Sequence, residues 1–115
     1  MRYKVYIYPI TEHPDIIEGF LSKLQKSSIQ KITRQLRYLE EYGLTPEVID
    51  LKKLKGYEFW EVRILGKENI RIFVWGYDQS IFVIHIFKKK SQATKSKELD
   101  LAKHRLKLVK KMIDR

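Results

Sequence analysis

Apolar and polar positions alternate along Tyr3-Lys-Val-Tyr-Ile-Tyr8, and this period of two, rich in β-branched and aromatic residues, predicts a strand. Pro9 ends it. Thr11 supplies an N-cap and Pro14 suits a first helical turn, after which Ile17, Phe20, Leu21 and Leu24 recur at helical spacing through about Lys26. Ser27 or Ser28 caps a second helix with the stripe Ile29, Ile32, Leu36 and Leu39, closed by Gly43. Two helices joined this tightly form an antiparallel hairpin. A connection from Leu44 to Lys55 leads into three strands, Tyr57–Leu65, Ile70–Tyr77 and Ser80–Phe87. Gly66-Lys-Glu-Asn69 and the hairpin-length Asp78-Gln79 separate them. A last helix runs from about Lys95 to Ile113, capped by Thr94 or Ser96, with Glu98 and Asp100 in its first turn. Its apolar stripe is Leu99, Ala102, Leu106, Val109 and Ile113. The order β-α-α-β-β-β-α predicts an α+β fold, with a mixed, mainly antiparallel sheet and helices packed mostly on one face, in a single domain over residues 1–115.

Strand alternation divides the meander into two faces. Trp60, Val62 and Ile64, with Ile70, Ile72 and Val74, and with Phe82, Ile84 and Ile86, form an apolar side that helices must cover. The opposite side carries Phe59, Glu61 and Arg63, then Arg71, Phe73, Trp75 and Tyr77, then His85, Phe87 and, if the strand continues, Lys89. Lys88 points the other way. Left open, this second side is either a solvated face with cross-strand ion pairs such as Glu61 with Arg63 or Arg71, or a phosphate-binding surface. Arginine clamps phosphate bidentately, aromatic rings stack bases and lysine adds point charge.

Charge shifts the balance toward the second account. Residues 88–115 carry 11 Lys/Arg against three Asp/Glu, so net +8 of the chain's +10 lies in its last quarter. A surface this basic attracts polyanions, although an acidic protein partner is the other reading. At 115 residues the chain can bury a core without staples. It lacks cysteine, so disulfides, thiolate metal sites and cysteine nucleophiles are excluded. With no apolar run long enough to span a bilayer and no signal-peptide segment, a cytoplasmic protein without membrane attachment is expected.

Gly56, Gly66 and Gly76 are isolated and make no phosphate loop, and His13, His85 and His104 have no metal-ligand spacing. No metal and no cofactor are expected. His104 reads as a surface or packing residue; His85 is either structural or a proton carrier. RNA cleavage needs no metal: the ribose 2′-OH is an internal nucleophile, and clustered cations can stabilise the charged transition state.

Three segments resemble a known family. Lys55-Gly-Tyr-Glu-Phe-Trp-Glu-Val-Arg63, Ile70-Arg-Ile-Phe-Val-Trp75 and His85-Ile-Phe-Lys-Lys-Lys-Ser-Gln-Ala-Thr94 resemble RelE/HigB toxins of type II toxin–antitoxin systems, in the phage-derived HigB-like branch of the RelE/ParE superfamily. That branch reads roughly Leu-Trp-Glu-Leu-Arg, Tyr-Arg-Val-Phe-Tyr and His-Gly-Phe-x-Lys-Lys-Thr-x-Lys-Thr-Pro, then Glu-x-x-x-Ala, matched by Glu98 and Ala102. Ile86 replaces its glycine, Ala93 a lysine and Lys95 its proline. The resemblance covers about residues 50–111. It implies a ribosome-dependent mRNA interferase, a metal-independent endoribonuclease that blocks translation. Its implied partners are the ribosome, mRNA and a cognate antitoxin, often of helix-turn-helix type. Arg63 and Arg71 fall on the family's strand arginines and Lys89 and Lys90 on its paired lysines, and Glu61, His85, Phe87 and Ser91 also match. The expected catalytic residues are Arg71, Lys89, Arg63, Lys90 and His85, and the expected RNA contacts are Lys88, Phe87, Trp75, Tyr77, Ser91 and Lys95. Two alternatives stand beside this reading: a ParE-like toxin, which shares the fold and inhibits DNA gyrase, and a non-catalytic RNA- or protein-binding module.

Overall fold

The structure, a computed structural model, describes residues 2–8 and 19–114, apart from the side chains of 92–94. The Pro9 strand stop, the Thr11 cap, Pro14 and Ile17 lie outside the described residues; residues 19–21 are helical. The described elements are β1 (Lys4–Ile7), α1 (Lys26–Tyr42), β2 (Leu51–Lys53), β3 (Trp60–Ile64), β4 (Ile70–Tyr77), β5 (Ser80–Lys88) and α2 (Gln92–Ile113). They build one five-stranded sheet in the order β1-β5-β4-β3-β2. β1 runs parallel to β5 and every other pair is antiparallel.

Both faces of the sheet are apolar, and a helix covers each. The α1 stripe of Ile29, Ile32, Leu36 and Leu39 packs against Val62, Ile64, Ile70, Ile72 and Val74. The α2 stripe of Leu99, Ala102, Leu106, Val109 and Ile113 packs on the opposite face, against Phe59, Phe73 and Phe87. The side expected to stand open is therefore closed along its middle. Three phenylalanines on one sheet face, each worth roughly 1.5–3 kcal/mol when buried, account for this. A β-bulge between Phe73 and Val74 of β4 makes a second correction: Trp75 pairs with Phe82 and Val74 with Val83, while Phe73 pairs with His85. Ile84 is the extra residue. Phe82 and Ile84 consequently pack under α2, and Ile81 and Val83 take the α1 side.

Local chemistry explains the helix ends. Gly43 closes α1 in a left-handed conformation (φ 70°), its amide donating to the Leu39 carbonyl at 2.9 Å. A Cβ there would lie 2.6 Å from the Tyr3 ring, so glycine also permits that approach. Neither Ser27 nor Ser28 caps α1; its N-cap is Gln25, without a side-chain cap. Thr94 and Ser96 likewise fall inside α2, which starts at Gln92. The α1 terminus borrows its acceptor from the β3–β4 loop. Glu68 accepts from the Gln25 amide at 2.8 Å and the Ser28 hydroxyl at 2.6 Å, and it pairs with Lys88 at 2.8 Å.

These three contacts, Lys88 foremost, hold the Glu68 carboxyl down at about 2. A depressed carboxylate stabilises the fold above its unfolded value of about 4.5 and loses that contribution as pH falls toward 2. In acid-unfolding titrations, wild type is expected to exceed Glu68→Gln in stability at neutral pH. The difference should vanish between about pH 4.5 and 2.

Candidate nucleic-acid interface

Register places one charged cluster where β2, β3, β4 and the start of α2 meet. Arg63 pairs with Arg71 across β3 and β4, so both side chains leave the same face as Glu61. Glu61 is fully buried (0% exposed), and it is surrounded by cations. Its Oε1 lies 3.3 Å from Arg63 Nε, and its Oε2 lies 3.7 Å from Arg71 Nε and 3.2 Å from Lys95 Nζ. One carboxylate thus gathers cations from two strands and the last helix.

The two arginines are not equivalent. The Arg71 side chain is only 7% exposed, and its Nη1 donates to Asn69 Oδ1 and the Ile70 carbonyl. Burial, opposed by Glu61, pulls its guanidinium below the usual arginine value. Arg63 is 38% exposed on the side chain and has a guanidinium that can turn toward a ligand. Arg63 is the more accessible of the two arginines, and Glu61 joins it to the buried Arg71.

Lys89 continues β5 beside this cluster, its amide donating to the Asn69 carbonyl at 2.8 Å; Lys90 follows and is exposed. The short strand β2 adds a residue that periodicity missed. Lys52 stands directly opposite Glu61, so its exposed side chain emerges on the cluster's face. Leu-Lys-Lys offers too few residues to show a period, and only the pairing with β3 reveals the strand.

Other expected site residues lie elsewhere. Lys88 sits across the sheet, paired with Glu68. Phe87 is buried between Phe73 and His85, at ring distances of 5.1 and 5.3 Å, and has no face free for a base. His85 is sealed under α2. Its Nδ1 lies 2.9 Å from Arg105 Nη1 and its Nε2 meets Glu98 Oε2. Arginine only donates, so Nδ1 accepts and Nε2–H donates to the carboxylate. The imidazole is neutral, and burial lowers its pKa further. It is a structural histidine with both nitrogens committed. Ser91 is exposed immediately before α2. Trp75 and Tyr77 lie toward the far end of β4, about 13 and about 20 Å from Arg71 at ~3.3 Å per residue.

Among the described residues no group of His, Asp or Glu is arranged to hold a metal ion. No described helix is long and apolar enough to cross a membrane. The cluster can bind phosphate, orient it and stabilise charge that develops on it.

Residues 19–107 match the family model described as "Phage derived protein Gp49-like (DUF891)". No curated protein sequence matches the chain. Among solved structures, the chain is similar to a mutant of the E. coli toxin RelE in complex with a peptide of the antitoxin RelBc. The TM-score is 0.60 at 16% identity, covering 85% of this chain and 95% of that one. At that identity the likeness establishes the fold, and the fold is RelE-like.

Proposed function

The chain belongs to the phage-derived Gp49-like family, and from that premise we infer that it is the toxin of a type II toxin–antitoxin system. It acts as a metal-independent endoribonuclease that cuts mRNA on the ribosome and stops translation in the cytoplasm, as one toxin domain. The observation that carries this reading is the buried Glu61 holding Arg63, Arg71 and Lys95 together on a surface that also presents Lys52 and Lys89. The RelE structure that shares the fold holds an antitoxin peptide. By the same reading an antitoxin, of helix-turn-helix type, covers this basic surface.

The chemistry is a transesterification. The ribose 2′-oxygen attacks phosphorus and loses its proton to a base; the bond to the 5′-oxygen breaks, and that oxygen takes up a proton. The products are a 2′,3′-cyclic phosphate and a 5′-OH end. Arg63 clamps the phosphate and stabilises the extra charge of the transition state. With His85 sealed, proton transfer falls to lysines at the rim, Lys89, Lys90 or Lys52. Lys95 and Arg71 complete the field from behind.

Induction of the wild-type protein in growing cells tests this. New 5′-hydroxyl ends should appear inside translated reading frames and be absent from untranslated RNA. Growth arrest with intact mRNA and lost DNA supercoiling would place the protein with gyrase inhibitors instead.

A further inference from the structure

Beyond the cation cluster, the sheet has a second exposed stretch where α2 ends. There an aromatic row crosses three strands. Tyr6 of β1 stacks on Phe82 of β5, at 5.4 Å and 22°; Phe82 meets Trp75 of β4 at 5.8 Å; Trp75 stacks on Tyr77 at 5.6 Å and 23°. Phe82 is buried, but the two ends of the row are open: Tyr6 is 37% and Tyr77 49% exposed. Rings in this arrangement offer faces to a planar ligand.

Cations flank the row. Lys110 Nζ lies 5.7 Å above the Trp75 ring, and Lys103 Nζ lies 5.9 Å above Tyr57. Two shallow clefts of about 130 and 140 Å³ share Lys110. One lies between Tyr57 and the lysines 103 and 107; the other lies beside Trp75 and Tyr77. Lys103, Lys107 and Lys110 recur at helical spacing along one stripe of α2. Among the described residues Glu58 pairs into this stripe, 2.6 Å from Lys110, and Asp114 lines the cleft beside Trp75.

We propose that the Tyr6–Trp75–Tyr77 row and the Lys103–Lys107–Lys110 stripe form a second RNA-binding platform, which holds a single strand by base stacking and phosphate contact. Stacking tolerates any base and lysines track a backbone, so the platform is not sequence-selective. Exposed ring faces beside lysines favour RNA over an acidic protein, because a nucleic acid satisfies both at once. The platform's β4 rings lie about 13–20 Å along the strand from Arg71 at ~3.3 Å per residue, which gives a bound strand two anchor points. The choice of RNA as ligand rests on the function proposed above.

The experiment uses the full-length protein and a short single-stranded RNA made uncleavable by 2′-O-methylation. With Trp60→Phe as background, emission from Trp75 should be quenched on binding. Tyr77→Ala should weaken binding about tenfold, within the range of losing one base–aromatic stack, and Tyr6→Ala should weaken it too. Glu58→Gln should tighten binding by releasing Lys110. Unchanged Trp75 emission, or wild-type affinity in both tyrosine variants, overturns the platform. RNA binding that depends on Tyr77 in a protein that cuts no mRNA would leave the platform standing and remove the nuclease. mRNA cutting with no effect of either tyrosine would do the reverse.

Discussion

Arg63→Ala is expected to leave the fold intact and to slow mRNA cleavage by about 10²–10³, the usual cost of removing one preorganised donor from a developing oxyanion. The fold survives because the Arg63 side chain is partly exposed and Glu61 keeps Arg71 and Lys95 after it is gone. Arg63→Lys should recover only part of the rate, since an ammonium cannot clamp phosphate through two parallel bonds. Single-turnover cleavage on programmed ribosomes, with a thermal melt of each variant, separates the two effects. A wild-type rate in Arg63→Ala would remove this arginine from the site.

Glu61→Ala is expected to destabilise the protein by about 3–5 kcal/mol, because it leaves the Arg71 guanidinium buried without its counter-charge. At roughly 4 °C of melting temperature per kcal/mol for a domain of this size, the midpoint falls by about 12–20 °C. Glu61→Gln keeps the shape and loses the charge, so it should melt higher than Glu61→Ala yet still cut slowly. Removing both charges, with Glu61→Leu and Arg71→Met, should recover stability without activity, because an apolar pair of similar volume can replace a buried ion pair. Additive losses in that double variant would show that the two residues are not coupled.

Alternation along regular antiparallel strands was enough to place Glu61, Arg63 and Arg71 on one face, because β3 and β4 pair without interruption from Trp60–Val74 to Ile64–Ile70. It also set Lys88 apart from Lys89. It failed on β5, where the bulge opposite Phe73 and Val74 moved Phe82 and Ile84 to the other side. No sequence period marks a single extra residue. It also failed to show that α2 covers the face holding His85 and Phe87. Both faces of the meander are apolar enough to take a helix, and Phe59, Phe73 and Phe87 were the residues that pointed to it. Lys52 was invisible for a different reason: a three-residue edge strand exists through its partner, not through its own pattern. The role of Glu61 as the centre of the cluster depended on Lys95 arriving from α2, a contact between residues 34 apart in sequence.

Mapping of 5′-hydroxyl RNA ends after a brief induction, in wild type and Arg63→Ala side by side, bears most directly on the function argued from this cluster. Ends should appear within codons of translated messages in wild type and be lost in Arg63→Ala made at equal level. Equal cleavage by both proteins, or growth arrest with every message intact, would contradict it.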